Sequence, residues 1–150
     1  MPLRTKLAWF LPIAASLSPA AHATMPEDVQ GIVFEYALPK DPGRFAYCLR
    51  VDGHDASPAA FDHLRHTKLP LFKASDCKAV ANPREGSIHR ERGQAAIFYS
   101  LLNFKVDGPA SATVLLEAYH HGLWGSGNTL RLERRDGTWH VVEVLPGWVS

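Results

Sequence analysis

The sequence predicts an α+β domain in which an N-terminal helix, a strand and a short helix pack on a four-stranded antiparallel β-meander, with one disulfide. Three observations predict this class. A helix-like apolar period covers residues 29–37, four strand-like runs follow residue 95, and the only two cysteines, Cys48 and Cys77, lie in the first half. Helices grouped before a run of strands are typical of α+β folds, where they cover one face of a sheet.

Residues 1–23 are predicted to be a secretory signal peptide. Arg4 and Lys6 form a basic start, an uncharged apolar run follows, and an Ala-His-Ala motif ends at Ala23. The apolar run is shorter than the about 20 residues that a spanning helix needs; an uncleaved anchor helix is the alternative. Cleavage would leave residues 24–150 as one exported domain, periplasmic or secreted, without membrane attachment.

The charge balance excludes two classes of partner. Without Arg4 and Lys6, fourteen Lys and Arg residues stand against fifteen Asp and Glu residues, a formal net charge of −1. A nearly neutral chain offers no basic surface for nucleic acid or anionic lipid. We therefore expect the partner to be a protein or a small molecule.

The first element after residue 23 has a helical pattern. Thr24 and Glu27 have the spacing of a capping box. Apolar residues then recur at the spacing of one helical face, namely Val29, Ile32, Val33, Tyr36 and Ala37. Gly31 disfavours a helix by up to about 1 kcal/mol relative to alanine, so a strand over residues 32–38 remains the alternative.

A strand and a short helix complete the N-terminal half. Residues 45–51 are rich in strand-forming side chains and end at the turn dipeptide Asp52-Gly53. Ser57 is placed to cap a short helix that has Pro58 at its first position. Residues 68–84 are interrupted by Pro and Asn and are predicted to be an irregular loop.

Cys48 and Cys77 are predicted to form a disulfide that ties this loop to the strand. An exported protein folds under oxidising conditions, and the spacing of the two residues matches no short metal motif. A thiolate nucleophile or a metal pair is the alternative. Closing a loop of about 30 residues stabilises a domain by roughly 3–4 kcal/mol on chain-entropy estimates.

The four predicted strands of the meander cover residues 95–106, 112–121, 129–135 and 139–145. Alternation in the first strand places Phe98, Leu102, Phe104 and Val106 on one face and Ile97, Tyr99 and Leu101 on the other. Asp136-Gly137 is a two-residue hairpin signal. It places Leu132 opposite Val141 and Arg134 opposite Trp139, where the guanidinium could form a cation–π pair with the indole.

The segment YHHGLWGSG, residues 119–127, raises the question of a site. If residues 112–121 form a strand, Glu117, Tyr119 and His121 stand in a row on one face, and His120 and His121 point to opposite faces. The row could bind a polar ligand or a metal, or perform acid–base chemistry. A solvated outer sheet face is the alternative, and it is favoured because antiparallel sheets often leave one face wet.

Two further groups of titratable residues are weaker candidates. Glu143 shares alternation with Trp139 and Val141, so its carboxylate could lie beside apolar groups near Leu130; partial exposure at a strand end is the favoured alternative. His54, His63 and His66 surround the second helix, where Asp62 and Asp55 could approach them, and they are interpreted as a surface cluster. No metal-ligand motif, phosphate loop or nucleophile elbow occurs, so no metal or cofactor is expected and an enzyme is disfavoured.

The chain has two resemblances, of which the first covers most of residues 24–150 and the second is weaker. The segment YCLRVDGHDASPAAFDHLR followed by KASDC, and the segment YHHGLWGSGNTLRLERRDGTWHVVEVLPGWVS, resemble small exported bacterial proteins that are largely uncharacterised. This resemblance implies a paired-cysteine N-terminal half and a C-terminal meander, and it brings no functional residues. The Asp136-Gly137-Thr138-Trp139 hairpin is also similar to hairpins of NTF2-like and cystatin-like folds, which host many functions.

These patterns favour non-enzymatic binding or protein interaction. Trp124 and Trp148 are expected to be exposed, and aromatic residues are enriched in protein interfaces. A ligand or metal site at Glu117, Tyr119 and His121 is the first alternative. An inhibitor or immunity-type protein that blocks an exported enzyme is the second.

Overall fold

The computed structural model describes residues 24–150 and has an α+β fold with a Cys48–Cys77 disulfide. The predicted signal peptide lies outside the described residues. The helices are α1 (Glu27–Ala37) and α2 (Pro58–Leu64). The strands are β1 (Ala46–Val51), β2 (His54–Asp55), β3 (Leu71–Lys73), β4 (Cys77–Lys78), β5 (Ile88–His89), β6 (Ala96–Gly108), β7 (Ser111–His121), β8 (Trp124–Arg135) and β9 (Thr138–Val149).

The main sheet has seven strands and is mixed. Its order is β2-β1-β6-β7-β8-β9, and β3 pairs with β1 in parallel beside β2. The last four strands are antiparallel neighbours in sequence order, but β1 adds to β6 in parallel. The predicted sheet of four strands is therefore incomplete. The predicted irregular loop supplies β3 and also β4, which pairs with β5 in a small separate ladder.

Helix α1 confirms the helical interpretation of residues 29–37, and the alternative strand is wrong. The expected capping box is also wrong, because Pro26 is the N-cap residue and no side chain caps the helix. Gly31 has a packing role: a Cβ there would lie 2.7 Å from the ring of His63 on α2. Helix α2 begins as predicted, since the Ser57 hydroxyl accepts a hydrogen bond from the amide of Ala60.

The two faces of the sheet have different cores. On the helix face, Leu49, Leu101, Val114 and Leu130 pack with buried side chains of α1 and α2. On the outer face, a smaller cluster surrounds the disulfide and contains Ala46, Cys48, Cys77, Ala96 and Phe98. Phe72, Ala74 and Tyr119 pack against this cluster and are partly buried there.

A β-bulge in β6 overturns one predicted face. Leu102 pairs with Leu115 and Lys105 with Thr113, so two residues of β6 stand opposite one of β7. Asn103 takes a positive φ of 54° at this point, and Phe104 turns into the core of the helix face. The prediction that Phe104 shares a face with Phe98 is therefore wrong, because the bulge shifts the alternation.

The β8–β9 hairpin follows its sequence signal. Asp136 and Gly137 have φ values of 51° and 78°, as a primed two-residue turn requires. The predicted register is confirmed: Leu132 pairs with Val141, and Arg134 with Trp139. The cation–π pair is not formed, because Arg134 Nε donates to the carbonyl of Gly137, 3.4 Å away.

Candidate functional site

The row Glu117, Tyr119 and His121 is broken by a second β-bulge. Tyr119 pairs with Gly125, whereas His121 pairs with Trp124, which leaves His120 as the extra residue. Adjacent residues of β8 point to opposite faces, so His121 lies on the face opposite to Tyr119. Glu117 and Tyr119 stay together on the outer face, but the carboxylate, phenol and imidazole do not form one surface.

The bulged residue His120 fastens the end of β7. Its Nδ1 lies 2.8 Å from the carbonyl oxygen of Ala96, and a carbonyl only accepts, so Nδ1 carries the proton. Its own carbonyl accepts hydrogen bonds from the Ser87 amide (2.8 Å) and hydroxyl (2.6 Å). The rings of His120 and His121 lie 4.9 Å apart. The expectation that these rings point to opposite faces is therefore wrong.

Trp148 lies on the outer face, and two glycines of β8 make room for it. A Cβ at Gly127 would lie 2.3 Å from the indole Nε1, and a Cβ at Gly125 would lie 3.2 Å from its Cη2 and Cζ3 atoms. The glycines of the YHHGLWGSG segment therefore form a shallow seat for an aromatic side chain. About half of that side chain remains in solvent, with a relative exposure of 44%.

Trp124 lies on the other face, at the same end of the sheet. Trp124 and Val149 line a depression of about 260 Å³ together with Gly125, Ser126 and Ser150. The pairs Ser126–Val149 and Gly127–Trp148 bring the start of β8 beside the end of β9. The two predicted interaction residues therefore stand on opposite sides of one corner of the sheet.

Exposed apolar side chains are concentrated at this corner. Eight large apolar side chains of residues 24–150 are exposed, and six of them lie in the half of the β8–β9 hairpin that includes this corner or in the turn before β8. We call this set of side chains, which occupies both faces of the sheet, the apolar corner; it consists of Leu123, Trp124, Val144, Leu145, Trp148 and Val149. Segments 122–130 and 144–150 contain no Asp, Glu, Lys or Arg, so charged side chains of these segments do not interrupt the surface.

The backbone of β9 is poorly suited to pair with a further strand. β9 is the last strand of the sheet order. Pro146 has no N–H group, and the register with β8 shifts at Val142 and Gly147. Proline and bulges are features by which edge strands avoid adding another strand. A partner at the apolar corner would therefore contact side chains rather than add a strand to the sheet.

Two of the three predicted histidines form a cluster whose carboxylate the sequence did not reveal. His63 Nε2 lies 2.6 Å from Glu35 Oε2, and His66 Nε2 lies 2.9 Å from Glu35 Oε1. The hydrogen bond from His63, opposed by burial and assisted by the charge of that ring and by His66, lowers the pKa of Glu35 below its ordinary value. The contact of α1 with α2 and with the turn that follows α2, which joins residues 28 and 31 positions apart, creates this cluster.

The acidic residues expected near these histidines bind elsewhere. Asp62 forms an ion pair with Arg65, and Asp55 accepts hydrogen bonds from Ser75. His54 lies in β2, apart from the Glu35 cluster. Among residues 24–150, no group of three or more His, Cys, Asp and Glu side chains is arranged to hold a metal ion.

Glu143 is paired rather than placed beside apolar groups. A bulge at Val142 brings Glu143 opposite Arg131, whose Nε lies 2.7 Å from Glu143 Oε2. The expected location near Leu130, on the face of Trp139 and Val141, is wrong because the bulge reverses the alternation after Val141. The carboxylate is thus held in an exposed ion pair, and the favoured alternative of partial exposure is confirmed.

Comparisons with family models, curated proteins and solved structures gave no match to this chain. Both resemblances therefore remain predictions. The disulfide is typical of proteins from oxidising compartments. No helix within residues 24–150 has the length and apolar character needed to cross a membrane.

Proposed function

We propose that this chain is an exported, non-enzymatic binding protein that contacts another protein through the apolar corner. One observation carries the proposal: six of the eight exposed large apolar side chains of residues 24–150 lie in the half of the β8–β9 hairpin away from the Asp136-Gly137 turn or in the turn before β8. Clusters of exposed apolar side chains mark interaction sites, whereas exposed apolar residues elsewhere on a protein are usually scattered singly. The Cys48–Cys77 disulfide supports an oxidising location.

The chemistry of the corner supports a protein partner. Trp148 on the outer face and Trp124 on the other face each supply a large, stiff contact area, and tryptophan is enriched among the residues that dominate binding energy. Trp148 is already seated on Gly125 and Gly127, so little side-chain freedom remains to be lost on binding. The uncharged segments indicate that the partner presents an apolar surface rather than a charged one.

Site-specific photocrosslinking tests this function in cells that naturally make the protein. A photoreactive phenylalanine derivative is placed at Trp148 and, as the matched control, at Tyr36, an exposed aromatic residue on α1. We expect a discrete crosslinked product from position 148 and not from position 36. Leu145→Ser should weaken that product, because it removes a neighbouring apolar contact. Equal products from both positions would contradict the proposal.

The identity of the crosslinked protein also tests the narrower alternative of an inhibitor or immunity-type protein. In that case the product would contain an exported enzyme, and adding the purified protein would reduce the activity of that enzyme. The ligand site at Glu117, Tyr119 and His121 gains no support, because the β7 bulge separates His121 from the other two residues.

A further inference from the structure

Arg50 and Asp55 are opposite charges in a direct cross-strand pair, yet they form no ion pair. The β1–β2 register places them opposite each other, where Cβ atoms lie about 5 Å apart and opposite charges attract. Within residues 24–150, no carboxylate oxygen lies within 4.0 Å of the Arg50 guanidinium. Each side chain is instead held by a different partner.

Two residues of β6, Ser100 and Phe98, orient the Arg50 guanidinium. Its Nε donates to the hydroxyl of Ser100 at 2.6 Å, and Ser100 is only 1% exposed. Its central carbon lies 5.1 Å from the ring centroid of Phe98, as in a cation–π contact. The two Nη groups make no hydrogen bond to residues 24–150. A planar fork held by Nε and left free at both Nη groups is suited to bidentate binding of a carboxylate.

Asp55 is fixed on the other side. Its two oxygens accept hydrogen bonds from the Ser75 amide (2.8 Å) and the Ser75 hydroxyl (2.7 Å). Burial raises its pKa, but the two bonds from Ser75 and the charge of Lys73 outweigh burial and lower the pKa overall. Asp55 is therefore a carboxylate, and each oxygen has a remaining lone pair for a cationic donor.

A cleft of about 370 Å³ lies between these two charges. Arg50, His54, Asp55, Ser75 and Phe98 are among its lining residues. The volume falls in the range of about 300–1,000 Å³ that is common for small-ligand sites. An anion alone would meet the carboxylate of Asp55, and a cation alone would meet Arg50. A ligand that carries both charges satisfies both sides.

We propose that this cleft binds a free amino acid, whose carboxylate pairs with the Arg50 Nη groups and whose ammonium group donates to Asp55. The site lies at the β1–β2 end of the sheet and does not depend on the apolar corner. Phe98, Ala74 and Ala79 also line the cleft, and these apolar residues favour an amino acid with an apolar side chain. The site therefore adds a small-molecule ligand to a protein-binding chain.

Amide chemical-shift titrations test this site on the exported protein. The probes are the common L-amino acids, with acetate and methylammonium as single-charge controls. We expect at least one apolar amino acid to shift the amides of Gly53, Ser75 and Phe98 and to bind about tenfold or more tightly than acetate. Binding of acetate as tight as that of every amino acid, or no binding at all, would overturn the proposal.

Substitutions of two arginines test whether binding depends on Arg50 specifically or on the loss of any arginine. Arg50→Gln is expected to weaken amino-acid binding by about tenfold or more. Arg44→Gln is the matched control, since Arg44 also stacks on a phenylalanine, 5.1 Å from the Phe45 ring centroid. If Arg50→Gln does not fold, Arg50→Lys replaces it in the test. Lysine keeps the positive charge but lacks the planar guanidinium, so Arg50→Lys should also weaken amino-acid binding. Unchanged affinity in a folded Arg50 variant would overturn the proposal.

Discussion

The indole of Trp148 occupies the space that a side chain on Gly127 would fill. A Cβ at Gly127 would lie 2.3 Å from Trp148 Nε1, much closer than two such atoms can approach. The two residues are direct cross-strand partners in β8 and β9. The glycine thus determines where the largest side chain of the apolar corner stands.

Gly127→Ala is expected to displace Trp148. The methyl group must push the indole outward, and overpacking of this kind typically costs about 1–3 kcal/mol. Fluorine NMR of 5-fluorotryptophan-labelled protein, with Trp148→Phe for assignment, should show a shift of the Trp148 signal. Ser126→Ala, one residue earlier on the opposite face, is the control. An unmoved Trp148 signal in Gly127→Ala would refute the seating.

Removal of the disulfide is expected to destabilise the domain strongly. Cys48 and Cys77 are both buried, and their bond ties β4 to the centre of β1. The Cys48→Ala/Cys77→Ala variant should lose roughly 3–4 kcal/mol of its free energy of unfolding, because no bond then restricts this loop in the unfolded chain. The urea midpoint of unfolding measures this loss. Equal midpoints for this variant and the oxidised protein would rule out a stabilising bridge.

Glu35→Gln is expected to change how the free energy of unfolding depends on pH under acidic conditions. The folded pKa of Glu35 lies below the ordinary value of 4.5. The carboxylate therefore stabilises the fold above that value and loses this effect as the pH falls through the folded pKa. All three side chains are partly exposed, so the effect should be at most about 1 kcal/mol.

Urea unfolding between about pH 6 and pH 3 measures this effect, since the stabilisation disappears in that window. The stability difference between the protein and Glu35→Gln should shrink as the pH falls. Glu27→Gln, on the same helix and without an ion pair among residues 24–150, is the control. A difference that is constant with pH would contradict the prediction.

His120→Phe is expected to loosen the end of β7. Phenylalanine keeps a ring beside Phe45, whose centroid lies 5.3 Å from that of His120, but it leaves the Ala96 carbonyl without its donor. An unmet buried acceptor costs about 1–3 kcal/mol. Amide exchange near Ser87 should accelerate. His121→Phe should not have this effect, and equal exchange in both variants would contradict the bonding role.

Local signals made part of the fold predictable. Ser57-Pro58 specifies a helix start, Asp136-Gly137 specifies a tight hairpin, and two cysteines in an otherwise cysteine-free chain specify a bridge. Each of these signals depends on neighbouring residues or on a residue type with one dominant use. The structure has all three features.

Side-chain faces could not be predicted beyond the bulges. Strict alternation assigned Phe104, His121 and Glu143 to the wrong neighbours, because each follows an extra residue in its strand. A bulge depends on pairing with another strand, and the sequence of one strand does not reveal it. The Glu35–His63–His66 cluster was missed for a similar reason: its contacts cross between two helices.

The most direct test of the protein-binding proposal is native mass spectrometry of the protein purified from its own cells without an affinity tag. We expect a defined complex with one partner that persists at about 0.5 M ammonium acetate, since apolar contacts are weakly screened by salt. Trp148→Ser should release the partner, and Tyr36→Ser should not. A bare monomer, or a complex that survives Trp148→Ser unchanged, would contradict the proposal that the apolar corner is the binding surface.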